Sequence, residues 1–212
     1  MKLFDSDSKL NSFLTGVFDL ILLNFCWLIG SIPIITIGAS TIALYKVLFQ
    51  KKSGKISNIV KPFFSAWKSS FKQGSLLWIF QIFSIALLAY FIMFSSMNRN
   101  GFEFTASFTI IISTICFVVL TLFCSTAYAH LAYFEMPLRS QFRNSLILCF
   151  IKAPLILANA IILFLPLALT IVFPVVFLKF IYIWLFFGVS LPVYFSSIIM
   201  RRVFTCISRI NT

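Results

Sequence analysis

"LNFCWLIGSIPIITIGASTIALYKVL", residues 23–48, decides how this chain folds. It reads as a membrane segment, yet Gly30, Pro33 and Gly38 interrupt it. Proline removes a backbone donor and turns the residue before it away from helix, while glycine permits a left-handed turn. "PIITIG" (33–38) therefore breaks the helical run, which resumes over 39–50 with Ala39 and Ala43 on a small-residue face. Two layouts compete. In one, 9–50 is a single kinked crossing and the chain has five spans. In the other, Pro33–Gly38 is a tight turn between two arms, 9–32 and 34–50, and there are six. Length favours the hairpin, because about forty residues of helix would reach about 60 Å, roughly twice the hydrocarbon thickness.

The rest of the chain also points to a membrane. Of 212 residues, 61% are hydrophobic and 10% charged, too little charge to cover a soluble surface. Further apolar runs lie near 74–96, 105–129, 153–173 and 180–200, continuous rather than alternating, which selects helices over a β-barrel. The expected fold is all-α: a polytopic helical membrane protein of five to six spans, one transmembrane domain over 1–212, opened by a helical hairpin. The 28 Phe and 4 Trp suit lipid-facing and interfacial surfaces. Upstream, Asp7 or Ser8 offers an N-cap for a helix from Lys9. Asp5, Asp7 and Asp19 spoil a signal-peptide reading.

The net charge of +12 would suggest nucleic acid in a soluble protein, but here it reports topology. Lys51, Lys52, Lys55, Lys61, Lys68 and Lys72 fall in the 51–73 loop, Arg139, Arg143 and Lys152 in 130–152, and Arg201, Arg202 and Arg209 in the tail. The opposite loops carry Arg99 and Lys179. The three rich segments are therefore expected in the cytoplasm, with Lys2 and Lys9 beside them if the hairpin forms. No basic domain stands outside the membrane regions to bind nucleic acid. The cysteines, Cys26, Cys116, Cys124, Cys149 and Cys206, have no C-x-x-C spacing and read as small hydrophobes. A faint echo, "FKQ" (71–73) and "FRN" (142–144), suggests a duplicated hairpin.

Polar residues within apolar runs are the candidates for function. Asp19 is the carboxylate expected inside a span, where it needs a partner or a water path. Lys46, on the other arm, is the natural partner, although counting from the turn leaves a height mismatch of about 9 Å. A proton or cation relay and a structural clamp both fit. Asn24, Trp27 and Ser31 share a helix face, with Asn24 expected to hydrogen-bond across a helix interface; Gln81 and Asn159 look similar. His130 reads as a cap or surface group at an interface. Pro154, Pro166, Pro174 and Pro192 mark span starts or kinks.

"KISNIVKPFFSAWKSSFKQ" (55–73) is amphipathic, with Ile56, Ile59, Val60, Phe63, Phe64, Trp67 and Phe71 on one stripe and Lys61, Lys68 and Lys72 on the other. Pro62 fits the first position of a helix. This segment is either a docking helix for a cytoplasmic partner or a helix lying in the headgroup layer. Motifs for nucleotide binding, metalloprotease or serine-hydrolase chemistry are absent, and one His with five carboxylates leaves little for acid–base catalysis. The expectation is no catalytic residue, no cofactor and no metal site.

Residues 3–48, with Asp19, Asn24, Trp27, Pro33, Thr36, Gly38, Ala43, Leu44 and Tyr45, resemble the opening of the YesL family of small bacterial membrane proteins. "FFSAWKSSFKQ" (63–73) and "FEMPLRSQFRNSL" (134–146) extend the resemblance, the latter through Arg139, Phe142 and Arg143. The family is one of unknown function. Its members tend to be encoded beside carbohydrate ABC importers, glycan-degrading enzymes and two-component regulators in Gram-positive bacteria. The resemblance implies a multi-pass protein of the bacterial plasma membrane with its C-terminus in the cytoplasm. It further implies a non-enzymatic accessory of a carbohydrate ABC importer, with the lipid bilayer and permease subunits as partners. A small independent transporter or channel, using Asp19, Lys46, Asn24 and Asn159, is the alternative, and a membrane partner of a sugar-responsive regulator a third.

Overall fold

The computed structural model describes residues 3–56, 58–97, 103–134, 153–172, 179 and 181–208. Among these, all regular structure is helical. The order is α1 (Leu3–Gly30), a 3₁₀ turn (Ile34–Thr36), α2 (Ile37–Lys52), α3 (Val60–Ser69), α4 (Phe71–Met97), α5 (Glu103–Tyr133), α6 (Ala153–Val172), α7 (Ile181–Phe187) and α8 (Ser190–Ser208). A helix thus stands at each expected apolar stretch. Three windows, Phe13–Gly30, Phe71–Phe94 and Phe108–Tyr133, are long and apolar enough to cross a bilayer. The α7–α8 pair, bent by 47°, makes a fourth, and Ala153–Pro166 is a shorter apolar piece. The chain is a polytopic helical membrane protein. Its first helix begins at Leu3, so Asp7 and Ser8 lie inside it instead of capping it.

The break forms where proline and glycine require it. Pro33 is extended, at φ −76° and ψ 114°. The Thr36 hydroxyl lies 2.7 Å from the Gly30 carbonyl and 2.6 Å from that of Pro33. Trp67 donates its indole N–H to the same Gly30 carbonyl at 3.1 Å. An orphan carbonyl at the end of α1 is thereby satisfied from two directions. The arms then run antiparallel: Trp27 donates to Thr41 at 3.2 Å, Gly30 lies against Ser40, and Asp19 pairs with Lys51.

The second arm is a core helix. Gly38, Ala39, Ser40, Ile42, Ala43, Leu44, Tyr45, Val47, Leu48 and Phe49 are all buried, so α2 is enclosed on nearly every side. Around it pack α1, α3, α4, α5 and α8. A helix apolar all round is either lipid-facing or central, and composition alone does not distinguish the two. At 16 residues, about 24 Å, it is also shorter than a perpendicular crossing of about 30 Å.

The direction of α2 follows from its contacts. Gly38 and Gly74 meet backbone to backbone: a Cβ on Gly38 would lie 2.1 Å from the Gly74 carbonyl oxygen. Further along, Phe49 packs edge-on against Tyr133 at 5.3 Å between ring centroids. Helices α4 and α5 are antiparallel neighbours, linked where Tyr128 donates to Gln81 at 3.3 Å, so residues 74 and 133 lie at the same end of that pair. Helix α2 therefore runs across the foot of α4 and α5 instead of alongside them.

Helix α3 returns the chain along the hairpin. Its apolar stripe, read from sequence as a face for a partner or for headgroups, is largely used internally. Phe63 is fully buried, Ala66 is buried, and Trp67 reaches Gly30. Phe64 and Phe71 remain exposed, as do Lys61, Lys68 and Lys72. Pro62 sits in the first turn, where its missing N–H has no intrahelical acceptor to lose. Beyond Ser84, α4 leaves the core and faces the outer part of α5 across half-buried Leu88, Phe91, Ser113 and Phe117, most of the other described residues over 85–94 and 108–119 lying exposed.

Between α2 and α3, Gly54 has φ +70°, the one positive φ among the described residues. Its N–H meets the Lys51 carbonyl at 3.0 Å and the Lys55 N–H meets that of Gln50 at 3.1 Å, which is a Schellman ending. A Cβ there would meet nothing within 4 Å, so conformation and not space demands glycine. Gly54→Ala is expected to destabilise by about 1 kcal/mol and Gly54→Asn by less. Melting in detergent checks this; equal melting points for Ala and Asn would refute it.

Candidate functional site

The described part of the chain offers two places with polar character: a break in the last span, and the end of the bundle where cations gather. The break lies at Gly188–Val189, between α7 and α8. Trp184 stacks against Gly188 so closely that a Cβ on the glycine would sit 2.3 Å from the indole ring. A broken helix leaves carbonyls on one side and N–H groups on the other without partners. Asn24, fully buried on α1, supplies both. Its Oδ1 accepts from Val189 and Ser190 N–H, each at 3.1 Å, and its Nδ2 donates to the Leu185 carbonyl at 2.7 Å and, at 3.4 Å, to that of Trp184. The cross-helix bonding expected of Asn24 is present, and its target is a helix break that the sequence reading missed. Gly188, with Pro192 soon after it, was the available signal.

Beside this break is a cavity of about 260 Å³. Three of the four tryptophans, Trp27, Trp78 and Trp184, line it with Tyr128, Gln81 and Thr41. Trp27 and Thr41 are bonded to each other, as are Tyr128 and Gln81. The Trp78 indole N–H is buried without a hydrogen-bond partner. Aromatic faces with a few donors suit a neutral, weakly polar guest. Seven helices contribute to the lining, so the cavity is invisible to a reading of separate segments.

The other sequence candidates serve separate ends. Asn159 is fully buried and accepts from Ser196; the Ser196 hydrogen is thereby used, so Tyr45 donates to Ser196 in turn. Asp19 meets Lys51, five residues beyond the expected Lys46. Asp19 and Lys51 stand equally far from the turn near residue 35, so their heights match. Lys46 instead lines a pocket at the basic end with Lys55 and Arg201. Pro33, Thr36, Gly38 and Trp67 build the hairpin tip described above. His130, expected at a surface, is buried against Phe134 and Phe204, ring centroids at 4.8 and 5.6 Å. Cys26 and Cys124 are buried as expected; Cys116 is exposed. Arg139, Phe142 and Arg143 lie outside the described residues. Asp19, Asn24 and Asn159 line neither the tryptophan cavity nor the basic pocket that Lys46 lines. Among the described residues no three His, Cys, Asp or Glu side chains gather as metal ligands would.

At the basic end, beyond the apolar stretch of α2, Lys52 donates to Ser197 at 2.8 Å and lies 4.3 Å above the Tyr194 ring. Burial, and then the charge of Arg201, pull its ammonium down to about 8. Burial also lowers that of Lys51.

Residues 20–94, about a third of the chain, match the model of a family described as "Protein of unknown function, DUF624". This is the family that includes YesL, and the match runs from the last residues of α1 before Asn24 through the tip, α2, α3 and most of α4. No curated protein and no solved structure matches the chain.

Proposed function

We propose that the chain is a non-enzymatic accessory protein of the bacterial cytoplasmic membrane that associates with a carbohydrate ABC importer. The observation that carries this reading is how the intramembrane polar side chains are used. Asp19, Asn24 and Asn159 each bond another helix and hold the bundle together, which is the work of a packed subunit and not of a polar conduit. The outer halves of α4 and α5 add an apolar surface, with Phe83, Tyr90, Ile111 and Ile115 exposed, against which permease helices can pack as readily as lipid. The basic end, with Lys55 and Arg202 exposed, is the cytoplasmic face in this reading. The link to carbohydrate import itself rests on the resemblance to the YesL family.

Affinity purification of the tagged chain from native membranes tests the proposal. An importer permease subunit is expected among the recovered proteins by mass spectrometry, and its repeated absence overturns the association. The cavity beside the helix break favours a second reading, a small transporter, because interrupted helices commonly flank substrate sites. Solute flux in proteoliposomes, lost on Trp184→Ala, would support it.

A further inference from the structure

The cavity beside the Gly188–Val189 break, of about 260 Å³, has a one-sided chemistry. No charged side chain is among the described residues that line it. A cation would find ring faces there but no carboxylate, and an anion no cation, so either would lose its water without gaining a counter-charge. The guest that fits is uncharged. The volume is below that of drug-sized sites, about 300–1,000 Å³, and suits a compact ring. Indoles from three helices and the Tyr128 phenol form much of the wall, which favours a flat guest that stacks or sits edge-on against them.

The hydrogen bonds of the wall decide what the ring must carry. The Trp27 N–H is spent on Thr41 at 3.2 Å. The Thr41 and Ser125 hydroxyls donate to the Ile37 and Leu122 carbonyls, both at 2.8 Å. Tyr128 donates to the Gln81 Oε1 at 3.3 Å. Gln81 is 7% exposed, and its Nε2 has no partner among the described residues. Turning the amide over would strand both the Tyr128 hydrogen and the Gln81 oxygen, which selects this assignment. The Trp78 N–H, one turn before Gln81 on α4, is buried without a partner as well. The wall is therefore left with N–H donors to spare, and a buried donor asks for an acceptor. A carbonyl oxygen supplies one without bringing a hydrogen of its own. A saccharide fits poorly, because its several hydroxyls need several partners at once and Ile37, Leu163, Phe164 and Val193 offer none.

We propose that this cavity binds an uncharged flat ring bearing a carbonyl oxygen, as a quinone or aryl ketone does, with the Gln81 amide donating to that oxygen and the indoles flanking the ring. Gln81 sets the specificity and the aromatic side chains supply contact area. The inference stands on the cavity alone. It requires neither the importer association nor transport, because binding at equilibrium succeeds or fails independently of recovered permease subunits and of flux.

The test is equilibrium dialysis of the full chain in neutral detergent against duroquinone, with detergent alone as the blank for partition into micelles. Every ring carbon of this probe that lacks oxygen carries a methyl group, so exposed Cys116 has no open position to attack. Durene, the same methylated ring without carbonyls, is the comparison ligand. Saturable binding of duroquinone at a single site is expected, at least about tenfold tighter than durene. Gln81→Met removes the donor and keeps most of the volume, and is expected to weaken duroquinone at least about tenfold and durene less than about twofold. Tyr90→Leu, at an exposed position on outer α4, is the control and leaves both unchanged. Leu163→Phe narrows the cavity from α6 without touching a hydrogen bond and is expected to weaken both ligands about fivefold or more, which keeps the test available if Gln81→Met misfolds. Equal binding of duroquinone and durene, indifference of duroquinone to either variant, no saturable binding, or saturable binding of glucose in its place overturns the proposal.

Discussion

Asn24→Leu will be recovered from membranes at a small fraction of the wild-type yield, and what is recovered will melt well below it. Leucine keeps the heavy-atom count and branching of asparagine, so the main loss is in hydrogen bonds. Val189 and Ser190 open α8, where no intrahelical carbonyl reaches their N–H groups, and both depend on the Asn24 oxygen. The Leu185 carbonyl depends on the Asn24 amide in the same way. The Trp184 carbonyl loses least, because the Gly188 N–H already meets it at 2.9 Å. Three buried groups left unmet at about 1–3 kcal/mol each give a cost of roughly 3–9 kcal/mol, at the lower end if lipid-side rearrangement finds new partners. Asn24→Asp keeps the acceptor for the two N–H groups at a helix N-terminus and is expected to retain more stability than leucine. Thermal unfolding of both variants in one detergent gives the answer. Wild-type melting of Asn24→Leu would show that the break is held by something else.

Gly38→Ala will be the most damaging single methyl in the chain. Its Cβ would stand 2.1 Å from the Gly74 carbonyl oxygen and 2.8 Å from the carbonyl carbon, both backbone atoms that no rotamer change can clear. The reverse substitution, Gly74→Ala, meets the Ala39 nitrogen at 2.4 Å. Either change must push α2 and α4 apart along their whole contact, with an expected cost of about 3 kcal/mol or more. Gly16→Ala is the matched control, because a Cβ there meets nothing within 4 Å and helix propensity favours alanine by about 1 kcal/mol. Melting points should therefore separate in opposite directions from wild type. If Gly38→Ala and Gly16→Ala melt together, the close approach of the two helices is not what holds them.

Much of this was readable in the sequence, and the limits have physical causes. The helices stand at the apolar stretches because hydrocarbon leaves no other way to satisfy a backbone, and the break at Pro33 follows from a missing donor. Asn24 was legible as a cross-helix group, since an amide in an apolar run needs a partner. Which partner was not, because the four atoms it bonds lie at the far end of the chain. The match of Asp19 to Lys51 was within reach: equal distance from the turn selects Lys51 over Lys46. That α2 is enclosed by other helices was not legible, because burial by protein and burial by lipid ask for the same residues. The tryptophan cavity draws one or two residues from each of seven helices, and no local pattern announces it.

The clamp on Gly188–Val189 also has a meaning for biogenesis. The bonded pairs are separated by 160 to 166 positions, so the α7–α8 break is completed by a side chain synthesised well before it. Until the two meet, the bent segment must wait in the bilayer with its peptide groups unmet, or wait straight. Assembly therefore includes a closing step that joins segments made far apart in time, and a chain deprived of α1 would never complete it.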